Sequence, residues 1–217
     1  MPAAAVPLRR MPAPDRKQQL LETALDVFSK KGFEGATTKE IAAAAGITEA
    51  IIFRHFPSKQ ALYTAVLDYK LQSHAASGWL AEVKSAMESN DDEGLLRSMA
   101  LGILEMYRKD TRFERMILFA ALEGHELALA HFRQHAVPFF QSMGRYVRRR
   151  QAAGALRKIK PECILMAIFA LVHQYGQDTQ MFGFSRFGSD REVVEAFVSI
   201  LMDGIRPARL RKVQSKK

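Results

Sequence analysis

Thr38, Thr48, Glu49, Ala50, Ile51, Phe53, Arg54, His55 and Lys59 bring two hydroxyls, a carboxylate, a guanidinium, an imidazole, an ammonium and several apolar groups into one short stretch. Hydroxyls and cations of this kind can hold phosphates, and apolar groups can meet thymine methyls. Glu49 has two readings. Its carboxylate could accept from a cytosine amino group, or it could be a first-turn charge favoured by the helix dipole. Glu49→Ala is therefore expected to alter preference at one base position, and Lys59→Ala to weaken binding to every sequence. Reaction chemistry has little support. His131 and His135 stand four apart, which is metal-ligand spacing on a helix, but no His-Glu-x-x-His pattern and no nearby third ligand accompany them. Glycine-rich phosphate loops and nucleophile motifs are also missing from the sequence. No metal, cofactor or enzymatic activity is expected.

The elements that would position the first group are two short helices. Thr37 can cap the earlier one and Glu40, three residues on, can bond back to the cap. Gly46 ends it, where positive φ is required. Thr48 caps the second, which buries Ile47, Ile52 and Phe56 and turns Glu49, Ala50, Ile51, Phe53, Arg54 and His55 outward. This is a helix-turn-helix, and its natural partner is duplex DNA. A longer helix precedes it, with Leu20, Ala24, Val27 and Phe28 at helical spacing and Gly32 as its stop.

Three helices, two glycine stops and the Phe56-Pro57-Ser58-Lys59 junction resemble the DNA-binding domain of the TetR family of bacterial transcriptional repressors, over about the first sixty residues. Thr38, Thr48, Arg54, His55 and Lys59 stand where the resemblance implies DNA contact. Two positions depart from the pattern: Phe53 lacks the hydroxyl of the tyrosine common there, and Glu49 replaces a basic or small residue.

Length and composition fit a small regulator. The chain has 217 residues, one cysteine (Cys163) and a net charge of +9. A single cysteine excludes an internal disulfide and suits a reducing compartment. The start is rich in alanine and proline without an apolar stretch of signal length. The longest apolar run, Cys163 to Val172, has ten residues, half of what a bilayer span needs. A soluble, cytoplasmic protein that avoids membranes is expected. Residues 1–60 hold nine Lys/Arg against six Asp/Glu, so most of the positive excess lies elsewhere. Leu127 to Pro161 contains no acidic residue, and Arg206 to Lys217 adds six cations. Each run is either a solvated surface or an auxiliary DNA contact, and Arg9 and Arg10 could reach a minor groove.

Periodic apolar segments beyond Ser58 predict an all-α second domain. A long helix is expected from Ser58 to about Glu88, followed by segments near Leu95 to Arg108, Arg112 to Leu122, Glu126 to Ala152 with a kink at Pro138, Glu162 to Phe182 and Asp190 to Ile205. The expected layout is a flexible arm over 1–14, the helix-turn-helix domain over 15–60, a helical ligand-binding and dimerisation domain over 61–206, and a basic tail over 207–217.

The resemblance implies that the last two helices pair with their copies in a homodimer. Their apolar residues Ile164, Ile168, Leu171, Tyr175, Val194, Phe197, Val198 and Leu201 exceed what one core face needs, the alternative being burial within the monomer. It also implies a pocket for a small, largely apolar ligand. Candidates are Ile103, Phe113, Met116, Phe119, Glu123, Phe139, Met143, Phe169 and His173, although such Met and Phe stripes can equally be plain core. The expected function is a ligand-released dimeric repressor on a palindromic double-stranded operator. The competing reading is an adaptor or co-activator of the same fold that works through protein contacts with weak operator binding.

Overall fold

A computed structural model describes residues 13–75, 78–184 and 188–207. Arg9, Arg10 and the tail beyond residue 207, for which DNA contacts were considered, lie outside the described residues. Ten helices and no strands are present among the described residues: α1 Ala13–Gly35, α2 Thr38–Ala44, α3 Glu49–His55, α4 Lys59–Ala75, α5 Trp79–Ser89, α6 Asp92–Lys109, α7 Arg112–Leu122, α8 Glu126–Ala152, α9 Pro161–Gln180 and α10 Asp190–Ile205. The all-α class with an N-terminal helix-turn-helix and a C-terminal helical domain is as the sequence suggested. No described helix is long and apolar enough to cross a membrane.

The described residues form two compact units, one from within 13–70 and 115–129, the other from within 71–114 and 130–207. This differs from the linear division expected at residue 60. The start of α4, the body of α7 and the first turn of α8 are tied into the first unit by contacts that a reading along the chain does not register.

In the first unit, Leu21, Ala24, Leu25 and Phe28 of α1, Ile41 of α2, Ile52 of α3, Leu62 and Tyr63 of α4 and Met116 of α7 are all buried, and Phe28 meets Tyr63 edge-on at 4.8 Å. α1 changes direction at Gly32, whose φ of 73° and ψ of −174° are not helical. A residue with a Cβ is strained at such an angle. The side chains of Phe119 and Glu123 also fill the space where that Cβ would project.

In the second unit α6 is the central helix. Met99, Ala100, Ile103, Leu104 and Tyr107 join Met143, Tyr146, Ile168, Val172, Val194 and Val198 in one core. α6 is fixed to α10 by Arg97, which donates to Glu195 at 2.6 and 2.9 Å and to Glu93 at 3.0 Å. It is fixed to α8 by Asp92, which accepts from Arg150 at 2.8 and 2.9 Å and from the Tyr146 hydroxyl at 2.6 Å. Gly176 of α9 is a close-approach site, because a Cβ there would lie 2.6 Å from the Tyr107 ring.

One expectation about helices changes. The long helix predicted from Ser58 to Glu88 is two helices, α4 and α5, the second beginning after Gly78, which has a φ of 89°. Apolar spacing continues through the break, so periodicity did not reveal it. α8 includes Pro138, where a kink was expected, within one continuous helix. Much of the acid-free basic run is used structurally: Arg150 binds Asp92, Arg149 donates to the Met87 carbonyl at 2.8 Å, and Arg157 donates to the Gly204 carbonyl at 2.6 Å. Arg145, Lys158 and Lys160 remain exposed.

Candidate nucleic-acid interface

The helix-turn-helix is built from local bonds. Thr37 Oγ1 accepts from the Glu40 amide at 3.2 Å, and Glu40 accepts from the Thr37 amide at 3.1 Å, closing the expected capping box. Lys31 lies 2.6 Å from Glu40 and, with the Thr37 bonds, holds the Glu40 carboxyl below its ordinary pKa. Gly46 turns the chain with a φ of 65°. Thr48 occupies the N-cap position of α3 with an extended backbone but makes no side-chain cap bond, contrary to expectation.

Ile52 and Phe56 are buried and Ile47 is half-buried, so α3 is anchored by its inner side. Thr48, Ala50, Phe53, Arg54 and His55 are exposed, and Ile51 is intermediate. Phe53 is 46% exposed, an unusual setting for an aromatic ring with no partner to cover it. The outward group is therefore small, aromatic and basic, which suits methyl groups, sugar edges and phosphates.

Three of the sequence candidates are placed differently. Glu49 and Thr38 face one another, the Thr38 hydroxyl donating to the Glu49 carboxylate across the two helices. Each thereby satisfies the other, and the pair fixes α3 against α2. Lys59 turns inward. Its Nζ donates to the Phe33 carbonyl at 2.8 Å and the Ala36 carbonyl at 3.1 Å, and lies 4.2 Å from the centre of the Phe33 ring. An ammonium engaged in this way caps the turn between α1 and α2 and is not offered to phosphate. Spacing along the chain placed Lys59 beside the recognition helix but carried no information about the carbonyls that await it.

The nine ligand candidates are divided between the two units. Met116, Phe119 and Glu123 belong to the first, where Met116 is fully buried, Phe119 packs beside Gly32, and Glu123 accepts from backbone amides of α1. These three are packing and capping residues of the DNA-binding unit, which corrects their assignment to a ligand lining. In the second unit Ile103, Phe113 and Met143 are buried core. Phe139, Phe169 and His173 are half-buried and continue an aromatic series. Trp79 meets Phe139 at 5.6 Å, Phe139 meets Phe140 at 6.0 Å, Phe140 meets Phe169 at 4.7 Å, and Phe169 stacks on His173 at 5.8 Å. The Trp79 indole N–H is enclosed and finds no acceptor among the described residues. Sequence reasoning missed Trp79, although a lone tryptophan in an apolar segment could have drawn notice.

His173 Nδ1 and the Tyr107 hydroxyl are 3.0 Å apart. Burial pushes the Tyr107 hydroxyl up to about 12 and pushes the His173 imidazolium down. The pair is thus uncharged near neutrality. Because the folded His173 pKa lies below its unfolded value of about 6.5, the unfolded chain takes up a proton first as pH falls. Stability is therefore expected to decline with acidification below about pH 6.5, by at most about 1.4 kcal/mol per pH unit, until the folded pKa is reached. Urea titrations between pH 7.5 and 5 should show this slope reduced in His173→Gln; an identical slope would mean that other groups carry it.

Of the expected dimer residues, Ile164, Ile168, Tyr175, Val194 and Val198 are buried in the monomer core, while Leu171, Phe197 and Leu201 are half-buried. This corrects the first five. The outer side of α9 carries Cys163, Met166 and Ala170, and that of α10 carries Ala196 and Ile200, all exposed. Met166 and Ile200 are each 66% exposed. Both helices have two apolar sides, and periodicity alone did not say which turned inward.

With this geometry in place, the comparisons bear on class. The family described as "Bacterial regulatory proteins, tetR family" matches residues 20–66, which span α1 to α4 and the whole helix-turn-helix. Over 198 residues the chain is 26% identical to the HTH-type transcriptional regulator RutR of Escherichia coli (strain K12), covering 88% of this chain and 91% of that protein. It is 32% identical over 109 residues to the HTH-type transcriptional activator FasR of Mycolicibacterium smegmatis, covering 50% and 48%. Its fold is similar to that of AibR, solved in complex with isovaleryl coenzyme A and operator DNA, with a TM-score of 0.63, 19% identity and coverage of 86% and 98%. The molecule is a helix-turn-helix transcriptional regulator. Its residues 20–66 are similar throughout to the DNA-binding domain of the TetR family.

Proposed function

We propose that the chain is a homodimeric repressor that binds a palindromic operator and is released by a small, largely apolar ligand. The observation that carries this is the outward side of α3, where Phe53, Arg54 and His55 are exposed on a helix whose inner side is anchored by Ile52 and Phe56. One seven-residue helix reaches few base pairs. Two-fold pairing doubles the contacts, on half-sites roughly one helical turn apart.

Pairing would use the exposed apolar groups of α9 and α10, namely Met166, Ala170, Leu171, Phe197, Ile200 and Leu201. The ligand would meet the partly exposed aromatic series around Phe139, Phe140, Phe169 and His173. A neutral His173–Tyr107 pair offers no fixed charge there, and the Trp79 N–H offers one donor. Binding can release DNA only by favouring a conformation with lower DNA affinity. AibR, with its coenzyme A thioester and operator DNA, supports this reading by analogy of fold.

The test is retention of duplex from the chain's own upstream region in a gel shift, with scrambled duplex as competitor. Selective, salt-sensitive retention is expected. Binding no better than to scrambled duplex would defeat the repressor reading and favour an adaptor that acts through protein contacts.

A further inference from the structure

The turn that joins α1 to the helix-turn-helix is held from two sides by charged groups. From α4, Lys59 donates to the carbonyls of Phe33 and Ala36 at 2.8 and 3.1 Å. From the end of α7, Glu123 accepts from the amides of Phe33 at 3.0 Å and Glu34 at 3.3 Å. The non-helical backbone of Gly32 comes just before those two amides, and the absence of a side chain there leaves the space that the carboxylate occupies. Ala36 is followed by Thr37, the cap of α2, so whatever fixes this turn fixes where the helix-turn-helix begins.

We infer that Glu123 is a positioning residue for DNA binding, the group through which α7 sets the placement of α2 and α3 on α1. The inference rests on the DNA-binding reading above and goes beyond it by naming the contact that would transmit a change in α7 to the recognition helix. A carboxylate on two amides is a charge-assisted contact, stronger and more directional than apolar packing.

Neighbouring contacts make the same turn a junction. Arg115 of α7 donates to the Ser29 carbonyl of α1 at 3.1 Å, and the Tyr63 hydroxyl donates to the Met116 carbonyl at 3.3 Å. His125, two residues beyond Glu123, stacks on Tyr63 at 5.4 Å and meets the Phe33 ring edge-on at 4.3 Å. Burial and then the negative charge of Glu123 push the Tyr63 hydroxyl upward, consistent with a carboxylate close by. Phe33 therefore has Lys59, Glu123, His125 and Tyr63 around it, and α7 cannot slide along α1 without breaking the two hydrogen bonds that the Phe33 and Glu34 amides donate to Glu123.

The test uses the full chain with Glu123→Ala, Glu123→Gln, Gly32→Ala and the Gly32→Ala/Glu123→Ala double variant. Amide exchange at Phe33 and Glu34 is expected to rise at least about tenfold in Glu123→Ala and less in Glu123→Gln, whose amide oxygen still accepts. Backbone NMR resonances from Thr38 to His55 should shift in proportion. Affinity for the upstream duplex should fall about tenfold in Glu123→Ala, with Glu123→Gln in between. Gly32→Ala should mimic Glu123→Ala, because its Cβ displaces the carboxylate. The double variant should be no worse than the worse single one within about twofold, as expected for two changes acting on one contact.

Unchanged exchange at Phe33 and Glu34 would overturn the inference. So would faster exchange with the Thr38 to His55 resonances unmoved, since the contact would then be structural only. Should Glu123→Ala fail to fold, Glu123→Gln carries the same readouts. Exchange and resonance shifts need no DNA, so a wild-type chain that does not select its upstream duplex would sink the repressor reading while the placement of α2 and α3 by Glu123 is still decided.

Discussion

Arg54→Ala is expected to weaken binding to the selected upstream duplex about 30-fold, and to reduce the slope of log affinity against log salt by nearly two. Arg54 is exposed on the outward side of α3, so in the proposed homodimer its removal would take two cations from the DNA. A loss of about 1 kcal/mol per contact gives roughly that factor, and each neutralised phosphate contributes about 0.9 to the slope. Lys59→Ala should behave differently, although it stands only five positions away. Its ammonium is bonded to the Phe33 and Ala36 carbonyls, so the variant leaves two acceptors of the α1–α2 turn without their donor. Affinity should fall about tenfold, stability by about 2 kcal/mol, and the salt slope should stay unchanged. Gel shifts at several salt concentrations, with urea unfolding of the same variants, separate the two. A slope reduced by two in Lys59→Ala would show that Lys59 leaves the turn and meets phosphate in the complex.

Gly176→Val should be the most destabilising single change, at about 3 kcal/mol. Even the first carbon of a side chain would lie 2.6 Å from the Tyr107 ring. That ring is buried to 1% exposure, and its hydroxyl is hydrogen-bonded to His173, so it cannot move aside freely. Overpacking of this kind costs about 1–3 kcal/mol, and a branched side chain on a helix seat lies at the upper end. For a chain of this size the melting temperature should drop by about 10 °C. Gly204→Ala is the control: nothing lies within 4 Å of its Cβ, and helix propensity favours alanine by up to about 1 kcal/mol. Equal melting temperatures for Gly176→Val and wild type would mean that α6 and α9 can separate at no cost, and that Tyr107 is not locked by their packing.

Legibility along the chain followed the range of the forces involved. Where a bond closes within four residues, reading in order sufficed except at Thr48, whose expected cap bond is not made. The Thr37–Glu40 box, the turn at Gly46 and the break at Gly32 are of this kind, and the box is decided by backbone groups whose partners lie a few positions away. The inner side of α3 was equally plain, since Ile52 and Phe56 repeat at one turn and a short helix has only one side to hide.

Partners distant in sequence were another matter. Lys59 and Glu123 both carried charges that suggested ligands outside the chain, and both are satisfied by the same turn of α1, which one approaches from α4 and the other from α7. α9 and α10 offered two apolar sides each, and the choice between core and partner surface depended on α6, which covers Ile168 and Val194 and leaves Met166 and Ile200 outside. The residues by themselves determined a helical regulator with a helix-turn-helix near its start, because helix periods, caps and glycine turns are local. Only the tertiary structure decided which charges face outward and which apolar sides stay open, because burial and charge pairing depend on elements brought together from opposite ends of the chain.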